Sequence, residues 1–368
     1  MKRPAPVITR LGWPGAPATP GRGLGWPTPS GILSAAGPVE EAAAGDVSRE
    51  TTAPPIVTAA TLAAEVVSDS TVAAGHETPL GDSTERRLRG LERIRSRSLP
   101  RPTVTRVLAV ANQKGGVGKT TTAVNMAAAL AQQDMKVLVV DLDPQGNAST
   151  ALSIAHSEGT PGAYQVLVDG APIDDVIVEC KQVPGLFVLP ATIDLAGAEI
   201  ELVSLVAREM RLKRALDVHL AESAEVDGRY DYVFIDCPPS LGLLTVNALS
   251  AGRELMIPIQ CEYYALEGVS ALLRTIDSIR DHLNPTLTVG AVLLTMHDAR
   301  TRLAAGVADE VRNHFGDLVL KTAVPRSVRI SEAPSYGQSV VTYDPSSVGS
   351  LSYLEAASEL AHQGKDTT

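Results

Sequence analysis

The run Lys114-Gly115-Gly116-Val117-Gly118-Lys119-Thr120-Thr121 combines what the capture of a phosphate chain requires. Glycines let backbone N–H groups turn inward around phosphate oxygens, a lysine neutralises charge, and an adjacent hydroxyl can ligate magnesium. On this reading Gly115, Gly116, Val117, Gly118, Lys119, Thr120 and Thr121 contact phosphate, Lys119 faces the β- and γ-phosphates, and the Thr120 hydroxyl holds Mg2+. The run lacks the leading glycine of the common GxxxxGK[ST] pattern and opens instead on a second lysine, Lys114. Two carboxylates are candidates for the rest of the chemistry. Asp143 follows an apolar run at the place where a carboxylate can orient the water that attacks a γ-phosphate, with Asp141 as its neighbour or as a cap on the strand end. Asp236 closes another apolar run, where a carboxylate can hold magnesium, usually through water.

These residues need strands that end and helices that begin beside them. Apolar runs at Val107-Ala111, Val137-Val140, Leu186-Leu189, Tyr232-Ile235, Leu255-Ile259 and Val289-Leu294 are short and bounded by turn residues or charges, as buried parallel strands are. Between them lie helix-length segments at Thr120-Gln133, Ala196-Ala221, Leu241-Leu249, Ala265-His282, Arg302-Phe315 and Leu351-His362. Alternating strands and helices predict an α/β fold, a doubly wound and mostly parallel sheet with its ligand at the carboxyl ends of the strands. The run begins shortly after the strand Val107-Ala111 and its Thr120 opens the helix Thr120-Gln133, so the loop has the context it needs.

Composition sets the limits. The chain has 368 residues, 32 of them Lys or Arg and 42 Asp or Glu, for a net charge of −10, and is 44% hydrophobic and 4% aromatic. No stretch approaches the roughly 18 uncharged apolar residues of a membrane span, and the first residues lack the apolar core of a secretory signal. Neither membrane insertion nor export is expected. The three cysteines, Cys180, Cys237 and Cys261, form no CxxC pair, so neither a disulfide framework nor a zinc site is encoded, and a reducing cytoplasm fits.

Residues 1–102 hold 13 of the 25 prolines and both tryptophans and lack hydrophobic periodicity, which predicts a disordered extension. Within it Leu11-Gly12-Trp13-Pro14 recurs as Leu24-Gly25-Trp26-Pro27, either a pair of docking motifs, for instance for a polar scaffold protein, or low-complexity drift. At 84–101, Arg86, Arg87, Arg89, Arg93, Arg95, Arg97 and Arg101 face only Glu85 and Glu92. Such a run is a solvated basic linker or a helix that touches DNA or anionic lipid. The folded domain is expected over 103–364, with a short tail at 365–368.

The phosphate loop with Asn112-Gln113 before it resembles that of the deviant-Walker-A ATPases, and among them the ParA/Soj chromosome-partitioning proteins. Asp141-Leu142-Asp143-Pro144-Gln145-Gly146-Asn147, Asp236-Cys237-Pro238-Pro239-Ser240, Glu262-Tyr263-Tyr264-Ala265-Leu266-Glu267-Gly268, Asp298-Ala299-Arg300-Thr301 and Pro325-Arg326-Ser327-Val328-Arg329-Ile330-Ser331-Glu332-Ala333-Pro334 resemble that family's stretches, in its order, over about 104–362. The resemblance implies a P-loop NTPase fold, ATP and Mg2+ as cofactors, and a catalytic set of Lys114, Lys119 and Asp143 in which Lys114 reaches across a nucleotide-sandwich homodimer to the partner's phosphates. It also implies non-specific binding to nucleoid DNA, hydrolysis stimulated by a ParB-like protein, and a nucleoid-associated place in the cytoplasm. Of the basic candidates Arg300, Arg302, Arg326 and Arg329, it singles out Arg300 and Arg329 for DNA.

Three other classes share parts of the pattern. A MinD-like positioning ATPase needs a basic amphipathic carboxyl-terminal helix, which Leu360-Ala361-His362-Gln363-Gly364-Lys365 does not supply. An iron–sulfur reductase needs cluster cysteines, whereas Cys180 and Cys237 read as small core residues. A metabolic amidoligase needs a second-substrate pocket for which the sequence carries no sign. Finally, Val47-Ser48-Arg49-Glu50-Thr51 can be encoded by GTT TCA CGT GAA ACA, which contains TTTCACGTGAAA, the palindrome of the centromere-like site that ParB-type partners of the family bind.

Overall fold

Uninterrupted β-branched runs form strands that are buried on both faces, and the sheet is built from them. The computed structural model describes residues 85, 88–94, 96–226, 228–263 and 265–363, with the backbone alone at 265–268 and 270. The segments 1–84 and 364–368, with the Trp-Pro repeats and the 47–51 stretch, lie outside the described residues. The strands are β1 (Arg106–Val110), β2 (Val137–Asp141), β3 (Val178–Glu179), β4 (Leu186–Leu189), β5 (Tyr232–Asp236), β6 (Glu254–Gln260), β7 (Thr288–His297) and β8 (Val319–Pro325). Their order is β3-β4-β2-β5-β1-β6-β7-β8, parallel at every pairing except β3 with β4.

The expected doubly wound sheet is therefore present, with two strands more than the six expected from the apolar runs. Both additions are edges: β3 is two exposed residues, and β8 carries an exposed Lys321 in its middle. Alternation along each strand sorts the core into two layers. Val107, Ala109, Val233 and Ile235 face one, with Leu212, Leu244 and Leu272 from the helices that cover it. Leu108, Val110, Tyr232 and Phe234 face the other, under Met126, Leu130 and Leu354.

The helices are α1 (Lys119–Ala131), α2 (Asn147–Ala151), α3 (Leu195–Glu201), α4 (Arg211–Val226), α5 (Leu243–Ala251), α6 (Ala265–His282), α7 (Arg302–Phe315), α8 (Val328–Glu332), α9 (Val340–Tyr343) and α10 (Val348–Gln363). The single helix expected over 196–221 is broken between α3 and α4 by short 3-10 turns at Leu202–Ser204 and Arg208–Met210. Ala207 takes a left-handed φ of 53° in that break. Neither glycine nor proline marks the place, so the apolar period runs through it unbroken.

The basic stretch at 84–101 corrects the expected boundary at 103. Residues 88–94 are helical, and Leu91, Ile94 and Leu99 are buried in the layer that holds α1 and α10. Leu91 and Ile94, three apart, share one helical face, a signal that the surrounding arginines obscure. Among the described residues no helix is long and apolar enough to cross a membrane.

Candidate functional site

The carboxyl ends of β1, β2 and β5 lie side by side, because Val110 is registered with Asp236 and Asp236 with Asp141. Between β1 and α1 the phosphate loop turns through Gly116 at φ 72° and Gly118 at φ 88°, the left-handed region that side chains disfavour. Around Gly115 and Gly116 a Cβ would meet nothing within 4 Å, so the backbone of the loop is open there. That opening is a cavity of about 380 Å3 lined by Gly115, Gly116, Gly118, Lys119, Thr120, Thr121 and Asp143.

Val117 and Asp236 are not on the cavity wall. The Val117 side chain is buried, so the residue can serve phosphate only through its backbone. Asp236 lies behind Thr120, fully buried, and neither of its carboxylate oxygens has a hydrogen-bond partner in the structure. Burial pushes its pKa well up and Asp141 adds to the rise, while the nearby Thr120 hydroxyl, outside hydrogen-bond geometry, and the Lys119 ammonium favour the charged form. Two orphaned buried oxygens beside a threonine hydroxyl fit a divalent cation, which would satisfy them and remove the cost of their burial.

Lys119 is 7% exposed, and burial lowers its pKa, opposed by Asp236 first among its neighbours. Asp141 is spoken for: one oxygen accepts from the Ser149 N–H at 2.9 Å and the Ser149 hydroxyl at 2.8 Å, the other from the Asp143 N–H at 3.1 Å. It thus caps the strand end and pins α2. Asp143 accepts from the Gln145 N–H at 3.0 Å and keeps a place on the cavity wall. Lys114 is not on the cavity wall either: it precedes the lining residue Gly115, its side chain 35% exposed, with its Nζ 3.6 Å from Glu262 and its N–H held by Asn112 at 3.0 Å. Arg326 reaches the other oxygen of Glu262 at 3.2 Å.

Several lining residues escape a reading of the sequence. Asn147, Pro239 and Pro334 sit in quoted motifs without an assigned task, whereas Thr150, Met296 and Gln338 carry no signal. The candidate DNA residues lie elsewhere and are paired: Arg300, 89% exposed, makes two bonds to Asp298 at 2.9 and 3.0 Å, and Arg329 faces Glu332 at 3.2 Å and Asp344 at 3.4 Å. Cys180 and Cys237 are buried among core residues, as expected. A larger cavity, about 650 Å3, lies at the opposite ends of the strands, lined by Arg101, Lys136, His219 and Tyr230 and by no residue of the phosphate loop.

A family model described as AAA domain matches residues 105–289. The sporulation initiation inhibitor protein Soj of Bacillus subtilis is 53% identical over 259 residues, which are 70% of this chain and 99% of that protein. The chain belongs to the ParA/Soj family of chromosome-partitioning ATPases. The chromosome partitioning protein ParA of Caulobacter vibrioides is 49% identical, over 71% of this ParA-family chain and 96% of its own. Among solved structures, cobyrinic acid a,c-diamide synthase from Mycobacterium smegmatis, with an ATP analogue and magnesium bound, is 41% identical with a TM-score of 0.58, covering 69% of this chain and 93% of that one. The family match spans the phosphate loop and all three carboxylates and ends within β7, so the Arg300 and Arg329 regions lie beyond it.

Proposed function

We propose that the protein is a ParA-type ATPase that segregates chromosomes or plasmids. ATP occupies the cavity, with its phosphates against residues 115–121 and Lys119, and Mg2+ is held by Thr120 and, through water, Asp236. The observation that carries this reading is the convergence of Lys119, Thr120, Asp143 and the unpartnered Asp236 carboxylate at one edge of the sheet. Asp143 orients the attacking water, the only carboxylate of the three that lines the cavity.

Lys114 completes the site in a second copy. Half-exposed and off the wall of its own cavity, it suits a reach across a dimer interface, for which it must leave Glu262, while Arg326 stays to pair that carboxylate. The ATP-bound dimer doubles the number of arginines facing DNA, and because affinity rises steeply with the number of phosphates neutralised, pairing switches non-specific DNA binding on. A ParB-like protein stimulates hydrolysis and so releases the dimer, which places the protein on the nucleoid. A polar scaffold is a further partner for the segment before residue 84.

The metabolic alternative follows from the diamide synthase likeness. Identity to Soj over almost the whole of that protein's length supports partitioning instead. Co-sedimentation of the full chain with DNA tests the choice. Binding with ATP and Mg2+ but not with ADP is expected; binding that ignores the nucleotide, or none at all, would overturn the proposal.

A further inference from the structure

We propose that Thr295, at the end of β7 and outside every motif discussed above, is a positioning residue that aims the backbone of the phosphate loop. Its hydroxyl donates to the Val117 carbonyl at 2.8 Å, and the residue is 2% exposed. A trans peptide is a rigid plane in which C=O and N–H point opposite ways. Anchoring the Val117 carbonyl toward β7 therefore turns the N–H of Gly118, the other half of the same plane, away from Thr295 and toward the phosphate space. Among the described residues that N–H donates to no protein acceptor, as a donor reserved for a ligand should.

The methyl of Thr295 lies beside the same peptide, 3.9 Å from where a Cβ on Gly118 would stand, but it is the hydroxyl that holds the loop. Thr295 is itself fixed: its carbonyl accepts from the Cys261 N–H at 3.2 Å, and Met296 beyond it takes a left-handed φ of 50° on the wall of the cavity. A strand that is far away in sequence thus sets the orientation of a donor in the nucleotide site. This inference rests on the reading of the cavity as an ATP site, which fails separately if the unaltered protein binds no ATP analogue.

The two halves of the side chain can be removed one at a time. Thr295→Val keeps the methyl and deletes the donor; Thr295→Ser keeps the donor and deletes the methyl. Competition against a fluorescent nucleotide gives the affinities of a non-hydrolysable ATP analogue and of adenosine, which has no phosphate to meet Gly118. Thr295→Val should weaken the analogue about tenfold, the equivalent of one hydrogen bond to a charged group, with adenosine unchanged, and Thr295→Ser should bind both like the parent. Parent-like binding of the analogue by Thr295→Val, or a parallel loss for adenosine, would overturn the role. Should the valine variant not fold, the parent protein still decides the matter by amide hydrogen exchange: the Gly118 N–H should be protected by the analogue and not by adenosine, and an unprotected Gly118 would overturn the proposal.

Discussion

Lys119 and Lys114 carry the same charge five positions apart, and their surroundings give them different work. Lys119 is buried beside Asp236 and Asp143, where a triphosphate would be its main partner. Lys119→Ala should weaken ATP binding by at least about thirtyfold, as removal of one partner from a desolvated charge pair does, whereas Lys114→Ala should bind ATP normally and fail to dimerise; equilibrium dialysis and size-exclusion chromatography with a non-hydrolysable analogue check the two. The carboxylates make a prediction about pH. Asp236 and Asp141 register side by side, and burial raises both, Asp141 to about 6. A raised folded pKa means that the folded state binds the proton more tightly than the unfolded one, so this stability is present in full below about pH 4 and is lost as pH rises through 6. Without nucleotide, the melting temperature should therefore fall between pH 5 and 7, and Asp236→Asn should flatten that fall while abolishing the stabilisation by Mg2+ and ATP. The loop and its acids are legible in the sequence because phosphate chemistry needs fixed residue types at short spacing. Met296 and Gln338 are not, since they reach the cavity from distant elements through folding alone, and Thr150 lies one helical turn past the last residue of its motif, where no residue type marks it.

At the scale of elements, what is legible depends on burial. The six strands evident in the sequence are the central ones, whose continuous apolar runs reflect cover on both faces. The other two, β3 and β8, are edges with water on one side, and there the apolar run breaks up. The break between α3 and α4 has the opposite cause: Ile200, Val203 and Val206 continue an apolar period but are 78%, 57% and 87% exposed, so the period marks a face that this chain does not bury. The segment 88–99 reads as a linker because arginines dominate its composition while three apolar residues do the packing. Leu91 is 8% exposed in the layer shared with α1 and α10. Leu91→Ala should cost about 2 kcal/mol, the lower end for truncating a buried leucine, read as a lower urea midpoint; a chain that starts at 103 should lose at least as much. An unchanged midpoint in both would return this segment to the role of linker.

For the molecule as a whole, charge bears on the proposed binding to DNA. A net of −10 repels a polyanion, and Arg300 and Arg329 are each paired to acids of their own chain, so a single copy has little to offer. Those pairs are exposed and weak, so under the proposed DNA binding, phosphates would displace the acids once two copies present their arginines together. Arg300→Glu and Arg329→Glu should leave basal ATP hydrolysis intact, weaken DNA binding, and lower the slope of log affinity against log salt by roughly one for each phosphate no longer neutralised; failure of these variants to dimerise would make the arginines structural instead. The last expectation concerns the gene that encodes the segment outside the described residues. Val47-Ser48-Arg49-Glu50-Thr51 spells, in one of its encodings, the palindrome to which ParB-type partners of the family bind. The segment before residue 84 contains none of the residues assigned to the phosphate site, so a constraint on the DNA can be met there without changing that site. If the codons are GTT TCA CGT GAA ACA, the partition site lies within the ATPase gene, and a ParB-like protein loaded on it would concentrate beside the source of its own ATPase. Sequencing those codons settles the matter, and a ParB-like partner should then retain the segment's duplex in a gel shift while a synonymous recoding releases it; any interruption of TTTCACGTGAAA makes the pentapeptide a coincidence.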